Sequence, residues 1–265
     1  MKSSLNSSSL GQTRAERKLL SFTLRIWRQE NSHSPGFFEQ LDAKDIPAEA
    51  SFLEMLDIIN DRLIEEKKIP IAFDSDCREG ICGTCSMVIN GIPQGPGRGA
   101  ACQVYMRSFS PGSTITIEPY RVKAFPILKD LVVDRSAYDR LIQAGGFISE
   151  HTGGAADAAT ILISKKTADA AMDAAACIGC GACAAACPNS SAMLFVGAKV
   201  THLSLLPQGQ PERSERVFSM VHAMDGEGFG NCSNYYACEA ICPANISASV
   251  IATLNREFIK ASITL

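Results

Sequence analysis

The chain has no excess of basic charge: 25 Lys and Arg stand against 28 Asp and Glu, for a net charge of -3 over 265 residues. With the two signs mixed along the sequence, no positive stripe is available to hold a phosphate backbone, which excludes nucleic acid as a partner. Also missing is any run of about 18 apolar residues, the length a membrane-spanning helix needs. The Ala-rich stretch from Ala168 to Cys187 comes nearest, and Asp169 and Asp173 interrupt it; the chain is not expected to cross a bilayer by itself. Residues 1–18 lack the apolar core of a signal peptide and are rich in Ser, so they read as a flexible tail. Arg14, Arg17 and Lys18 are basic, but Glu16 and the brevity of the segment argue against a transit peptide. No dinucleotide fingerprint is present: Gly95-Pro-Gly-Arg-Gly99 contains proline and opens no helix, so it reads as a loop. Histidine is sparse, and His33, His151, His202 and His222 are too scattered to form a metal site; surface or packing roles are expected, with His202 alone worth watching.

What the chain has in abundance is cysteine. Eleven are present, an odd number that cannot all pair as disulfides, and all fall into three tight groups. Such grouping suits thiolate ligation in a reducing compartment better than bridging or simple burial.

The rest of the sequence outlines two halves. Phe22, Leu24 and Ile26 alternate with Thr23, Arg25 and Trp27, the period-two pattern of a strand with one face on a core. Ser51 and Glu54 have capping-box spacing, and Phe52, Leu53, Leu56, Ile59 and Leu63 recur at helical intervals, which predicts a helix to about Glu66. After a cysteine-rich loop, strands are expected over Ser86–Ile89, ending in an Asn90-Gly91 turn, and over Thr114–Ile117. Beyond Arg121 the character becomes helical: Ser136 can cap a helix through Tyr138, Leu141 and Ile142, and Ala dominates from residue 155. A loop over Pro207–Pro211 precedes Val217, Met220, Val221 and Met224, a seam that faces a core rather than a cofactor. Arg213 and Arg216 read as surface or interface ion pairs. Arg121 to about Leu131, with Pro126 inside it, is the candidate linker.

The first cysteine group is Cys77-x4-Cys82-x2-Cys85 followed by Cys102, the plant-type ferredoxin spacing for a 2Fe-2S centre held by four thiolates. Gly80 and Gly83 suit a loop that curls round the cluster and turns N–H groups toward its sulfurs. Zinc is the competing reading, although structural zinc usually takes two C-x2-C knuckles and this group has one. The second group is Cys177-x2-Cys180-x2-Cys183-x3-Cys187-Pro188, the bacterial-type signature in which three cysteines hold one 4Fe-4S cluster and the fourth reaches a neighbour. The third, Cys232, Cys238 and Cys242-Pro243, supplies Cys242 as the crossing ligand that completes the first set. On the same template position 235 would be a fourth cysteine, and it is Tyr235. Cys187, Cys232 and Cys238 are then left for a 3Fe-4S centre; an aqua-ligated 4Fe-4S cluster competes for that site.

The order 2Fe-2S, 4Fe-4S, 3Fe-4S resembles the iron-sulfur subunit of the succinate dehydrogenase and fumarate reductase family, from about residue 20 to the end. Asp76-Cys-Arg-Glu-Gly-Ile-Cys-Gly-Thr-Cys85 and Phe125-Pro-Ile-Leu-Lys-Asp-Leu-Val-Val-Asp134 look like that family, and Leu205-Leu-Pro-Gln-Gly-Gln-Pro-Glu-Arg213 looks like its bacterial menaquinone-linked branch. The resemblance implies an α+β fold: a plant-type ferredoxin (β-grasp) domain over 19–122, a linker over 123–134 and an all-helical bacterial-type ferredoxin domain over 135–265. It also implies that single electrons pass from the FAD of a flavoprotein partner to quinone, with menaquinone as acceptor and haem b in a membrane-anchor cytochrome b. The place would be the cytoplasmic face of the bacterial membrane. Reverse operation as a fumarate reductase, or a free-standing ferredoxin-type carrier, are the alternatives. The sixteen residues between Cys85 and Cys102 exceed the family's spacing, so Gly95–Gly99 is expected to loop out. Asn189, Ser190 and Ser233 stand where the family has quinone contacts, so those contacts are not carried over.

Overall fold

The computed structural model describes residues 18–149, 154, 157 and 160–264. The tail expected over 1–18, Lys18 excepted, and His151 lie outside the described residues.

Strand β1 (Leu19–Arg28) shows the expected alternation, burying Leu20, Phe22, Leu24 and Ile26 on one face. It pairs antiparallel with β2 (Phe37–Pro47), in register Leu24 with Leu41 and with a bulge between Leu20 and Phe22. On its other side β1 runs parallel to β5 (Thr114–Glu118), aligning Ile26 with Ile117. The short hairpin β3 (Val88–Ile89) and β4 (Ile92–Pro93) completes a five-stranded sheet in the order β2-β1-β5-β3-β4. Asn90 and Gly91 both take positive φ, as a tight two-residue hairpin turn requires. The strand expected to begin at Ser86 starts at Val88, because the chain before it is still occupied by the cysteine loop.

Helix α1 (Phe52–Glu65) lies against this sheet and starts from a complete capping box between Ser51 and Glu54. Phe52, Leu53, Met55, Leu56, Ile59 and Leu63 enter the core, and each fully buried side chain contributes about 2 kcal/mol of transfer free energy. The cap adds about 1 kcal/mol.

Residues 123–134 are not bare chain. They contain a two-stranded hairpin, β6 (Ile127–Lys129) and β7 (Val132–Val133), whose turn carries the buried Asp130. Asp130 accepts from the Gln29 and Ala72 backbone N–H groups, both at 2.9 Å, and its own N–H donates to Gln29 O. The hairpin thereby grips the end of β1 and the chain entering the first cysteine loop. Leu131 belongs to the sheet core, whereas Phe125 and Val133 belong to the helical one.

The helical half comprises α2 (Ser136–Gln143), α3 (Lys165–Ala175), α4 (Ala182–Ala186), α5 (Met193–Leu205), α6 (Arg213–Gly226), α7 (Ala237–Ile241) and α8 (Ser249–Thr264). Ser136 is the first helical residue of α2 rather than its cap; Asp134, two residues earlier, accepts from the Ser136 N–H instead. Val217, Met220 and Met224 are buried as the seam predicted, with Val221 packed at its edge. Helices α5 and α8 pack closely at Gly197, where a Cβ would stand 2.9 Å from Val250 O. Among the described residues, no helix is long and apolar enough to cross a membrane.

Two arginines close this half. Arg213 forms a bidentate pair with Glu257, Nε at 2.6 Å and Nη2 at 2.8 Å. Arg216, expected at the surface, is buried: it donates to the carbonyls of Gly145 and Gly209, both at 2.8 Å, to Phe147 O at 3.1 Å, and to Glu212 at 3.0 Å. It knots the chain after α2 to the turn before α6, so its charge is met by backbone carbonyls and by Glu212 within this chain.

Candidate metal centres

The first centre is built on irregular chain between α1 and β3. Positive φ at Arg78, Gly80 and Gly83 winds this loop, and an ion pair from Arg78 to Asp57 pins it to α1. N–H and O–H groups point at the sulfurs: Glu79 N–H reaches Cys77 Sγ at 3.3 Å and the Thr84 hydroxyl reaches Cys82 Sγ at 3.0 Å. The Glu79 N–H, followed by that of Ile81, draws the Cys77 thiol down to about 7, so thiolate forms there readily. Cys85 and Cys102 form the buried inner pair, and burial pushes Cys85 up to about 11. Such a thiol keeps its proton until a metal replaces it.

Cys102 rides on a tight turn over Ala101–Gln103, and that turn is held by a residue that sequence reasoning missed. Gln94, almost fully buried and at φ +69°, accepts from Ala101 N–H at 2.7 Å and donates to the buried Tyr120 hydroxyl at 2.7 Å, with Cys85 Sγ at 3.7 Å from its oxygen. The Gly95–Gly99 insertion follows at once. Its tip, Gly97 and Arg98, is exposed as expected, and Arg98 reaches across to the Asn245 side chain at 3.2 Å.

The second and third groups are copies of one structural unit, each matched position lying 55 residues on: Cys177 and Cys232, Cys183 and Cys238, Cys187 and Cys242. Gly179 and Gly181 have positive φ, and so do their counterparts Asn234 and Tyr236. In each unit a left-handed residue starts a five-residue helix, α4 or α7, with one cysteine at its second position and another capping its end. Tyr235 takes the place of Cys180 and is 64% exposed, where Cys180 is buried.

The thiols then sort by space. Cys177, Cys180, Cys183 and Cys242 line one small cavity with Gly179, Phe195 and Ile246. Cys187, Cys232 and Cys238 line another, of about 280 Å³, with Tyr235, Tyr236 and Met193. Among the described residues, no three His, Cys, Asp or Glu side chains converge tightly enough to hold one metal ion between them. Shared cavities, not single-ion sites, are what the thiols form. Backbone donors again face sulfur: Ile246 N–H to Cys242 at 3.4 Å and Asn234 N–H to Cys232 at 3.5 Å. Burial pushes Cys180 up to about 12 and holds Cys183 well above the usual thiol value, while the Tyr138 hydroxyl lies 3.4 Å from Cys183 Sγ. Tyr138 stacks on Phe195 at 3.9 Å, and both rings line the four-thiol cavity. Asn189 ties the two units together, donating to Asn231 O and the Ser233 hydroxyl. His202 lines neither cavity; burial holds its imidazole below the usual value, and its buried Nδ1 has no partner among the described residues.

Sets of four, four and three soft sulfur donors, with N–H groups aimed at them, fit iron-sulfur clusters. The chain thus has the form of an electron-transfer protein in which a plant-type ferredoxin unit is joined to a two-cluster bacterial-type unit. Comparison with known proteins agrees: residues 23–140 match the family described as "2Fe-2S iron-sulfur cluster binding domain", and residues 170–243 match "4Fe-4S dicluster domain". The chain is 30% identical over 253 residues to the succinate dehydrogenase iron-sulfur subunit of Bacillus subtilis, covering 92% of this chain and 94% of that protein. It is 28% identical to the fumarate reductase iron-sulfur subunit of Wolinella succinogenes, over 91% and 98% of the two chains. A solved chain titled "Mycobacterium smegmatis Sdh1 complex in the apo form" shares the fold, with a TM-score of 0.66 at 20% identity, covering 93% of this chain and 98% of that one. This protein belongs to the family of iron-sulfur subunits of succinate dehydrogenase and fumarate reductase.

Proposed function

We propose that this chain passes electrons one at a time from the FAD of a flavoprotein subunit to a quinone, menaquinone by resemblance, in a membrane-anchor cytochrome b subunit carrying haem b. When bound, the clusters supply one-electron storage at potentials graded by type, charge and hydrogen bonding. The residues do the holding. Cys77, Cys82, Cys85 and Cys102 hold 2Fe-2S; Cys177, Cys180, Cys183 and Cys242 hold 4Fe-4S; Cys187, Cys232 and Cys238 hold 3Fe-4S. Residues 19–122 and 135–265 are the two cluster domains, joined by 123–134, and the chain sits peripherally on the cytoplasmic face of the membrane.

The observation that carries this reading is the division of seven thiols between two cavities, four in one and three in the other. Nothing in the chain needs to act on substrate as acid, base or nucleophile; its side chains bind, orient and exclude water.

The test is to purify the complex through this chain and measure iron, flavin and the low-temperature electron paramagnetic resonance of the air-oxidised protein. The expected result is about nine irons per chain, an oxidised three-iron signal and co-purification of a flavoprotein. About ten irons without that signal would replace the third centre with a four-iron cluster, and zinc would remove the reading altogether. Dye-linked assays of succinate oxidation and fumarate reduction then give the direction of turnover.

A further inference from the structure

The loops of the first two centres meet at one side chain. Gly83 lies between Cys82 and Cys85, and Gly179 between Cys177 and Cys180; both have left-handed φ, +71° and +64°. The loops touch backbone to backbone, because a Cβ at residue 83 would stand 2.4 Å from Ile178 O and 2.9 Å from Cys180 N. Only glycine fits there. Into this junction comes Arg135, half-buried just before α2, whose Nη1 donates to Gly83 O at 2.5 Å and to Gly179 O at 3.2 Å.

We propose that Arg135 is a positioning residue for electron transfer between the 2Fe-2S and 4Fe-4S centres, fastening their two loops together and placing a fixed positive charge between them. The proposal rests on the functional reading above. A guanidinium is suited to the task because its nitrogens carry rigidly directed donors and it stays charged at every physiological pH. The charge has a place to act: Arg135 lines a cavity of about 370 Å³ together with Cys82 from one centre and Cys177 from the other. Each electron arriving at either centre adds negative charge, so a nearby cation favours the reduced form of both. Lysine would keep the charge without the two-carbonyl clasp, and glutamine would lose the charge.

The experiment compares Arg135→Gln and Arg135→Lys with wild type in the intact complex. It uses iron and sulfide analysis, a redox titration followed by paramagnetic resonance, and the mutual relaxation enhancement of the two reduced centres. In the fully loaded Arg135→Gln protein, the reduced-to-oxidised ratio at the wild-type midpoint should fall roughly three- to tenfold at the 2Fe-2S and 4Fe-4S centres, the range for one half-buried charge. The third centre should not move. Arg135→Lys should recover most of that ratio while the relaxation enhancement stays weakened. Unchanged midpoints and unchanged enhancement in loaded Arg135→Gln would overturn the proposal, and so would equal shifts at all three centres, the mark of a general folding defect. Absence of 2Fe-2S or 4Fe-4S signals in wild type would sink the functional reading instead.

Discussion

Replacing Gln94 with leucine keeps the volume and removes both hydrogen bonds of a side chain that is 1% exposed. Ala101 N–H loses its acceptor and the Tyr120 hydroxyl loses its donor, and both residues are fully buried. Each orphaned buried group costs about 1–3 kcal/mol, so the pair costs about 2–6 kcal/mol. At roughly 2–4 °C per kcal/mol for a chain of this size, the apparent Tm should drop by about 4–24 °C at a fixed scan rate. The loss should be local as well, since Ala101 and Cys102 share one turn: on mild heating the 2Fe-2S signal should fade before the others. Gln143→Leu is the control. It changes an exposed glutamine of α2 whose side chain makes no hydrogen bond among the described residues, and should move stability by about 0.5 kcal/mol at most. If Gln94→Leu melts within a degree of wild type and keeps its 2Fe-2S signal as long, the assignment of Gln94 as the brace of Cys102 is wrong.

Tyr235→Cys places a thiol where Cys180 stands in the other unit, at an exposed position that costs the fold little; iron should rise from about nine to about ten, with loss of the oxidised three-iron signal and a lower potential at that centre. Persistence of that signal in the variant would refute the ligand assignment. For Glu257, the hydrogen bond from Arg213 is the main cause holding its carboxyl below the usual carboxylate range, against opposing burial. A depressed folded-state value means stability that is present above the unfolded value and is lost as pH falls through the folded one. Glu257→Gln should therefore cost about 1–2 kcal/mol at neutral pH, with Arg213 one-third exposed, and the deficit should vanish in acid; a deficit that is constant with pH would exclude the ion pair as its source.

The parts legible in the sequence are those written in local spacing. The alternation of Phe22, Leu24 and Ile26, the Ser51–Glu54 box and the cysteine intervals each depend on neighbours within a few turns of chain. Strand β2 escaped notice because it lies at the sheet edge: most of Phe37–Pro47 is at least partly exposed, and only Ala43 and Ile46 are buried, so no two-residue alternation appears. The hairpin inside 123–134 escaped because strands of two and three residues carry too little pattern to detect. Gln94 and Arg135 escaped, and the backbone contacts of Arg216 with them, for a common reason. Each acts on backbone groups outside its own element, and no local pattern reports which carbonyl or N–H a side chain will meet.

The end-capping cysteines of the twin units change places. Cys187, which closes α4, faces the cavity of the later unit, while Cys242, which closes α7, faces that of the earlier one. Neither vestibule is whole until chain segments 55 residues apart have docked, so cluster binding and docking of the units are coupled. On the proposed ligand sets, whatever pries one unit loose takes a ligand from both, and the two centres should be gained and lost as a couple.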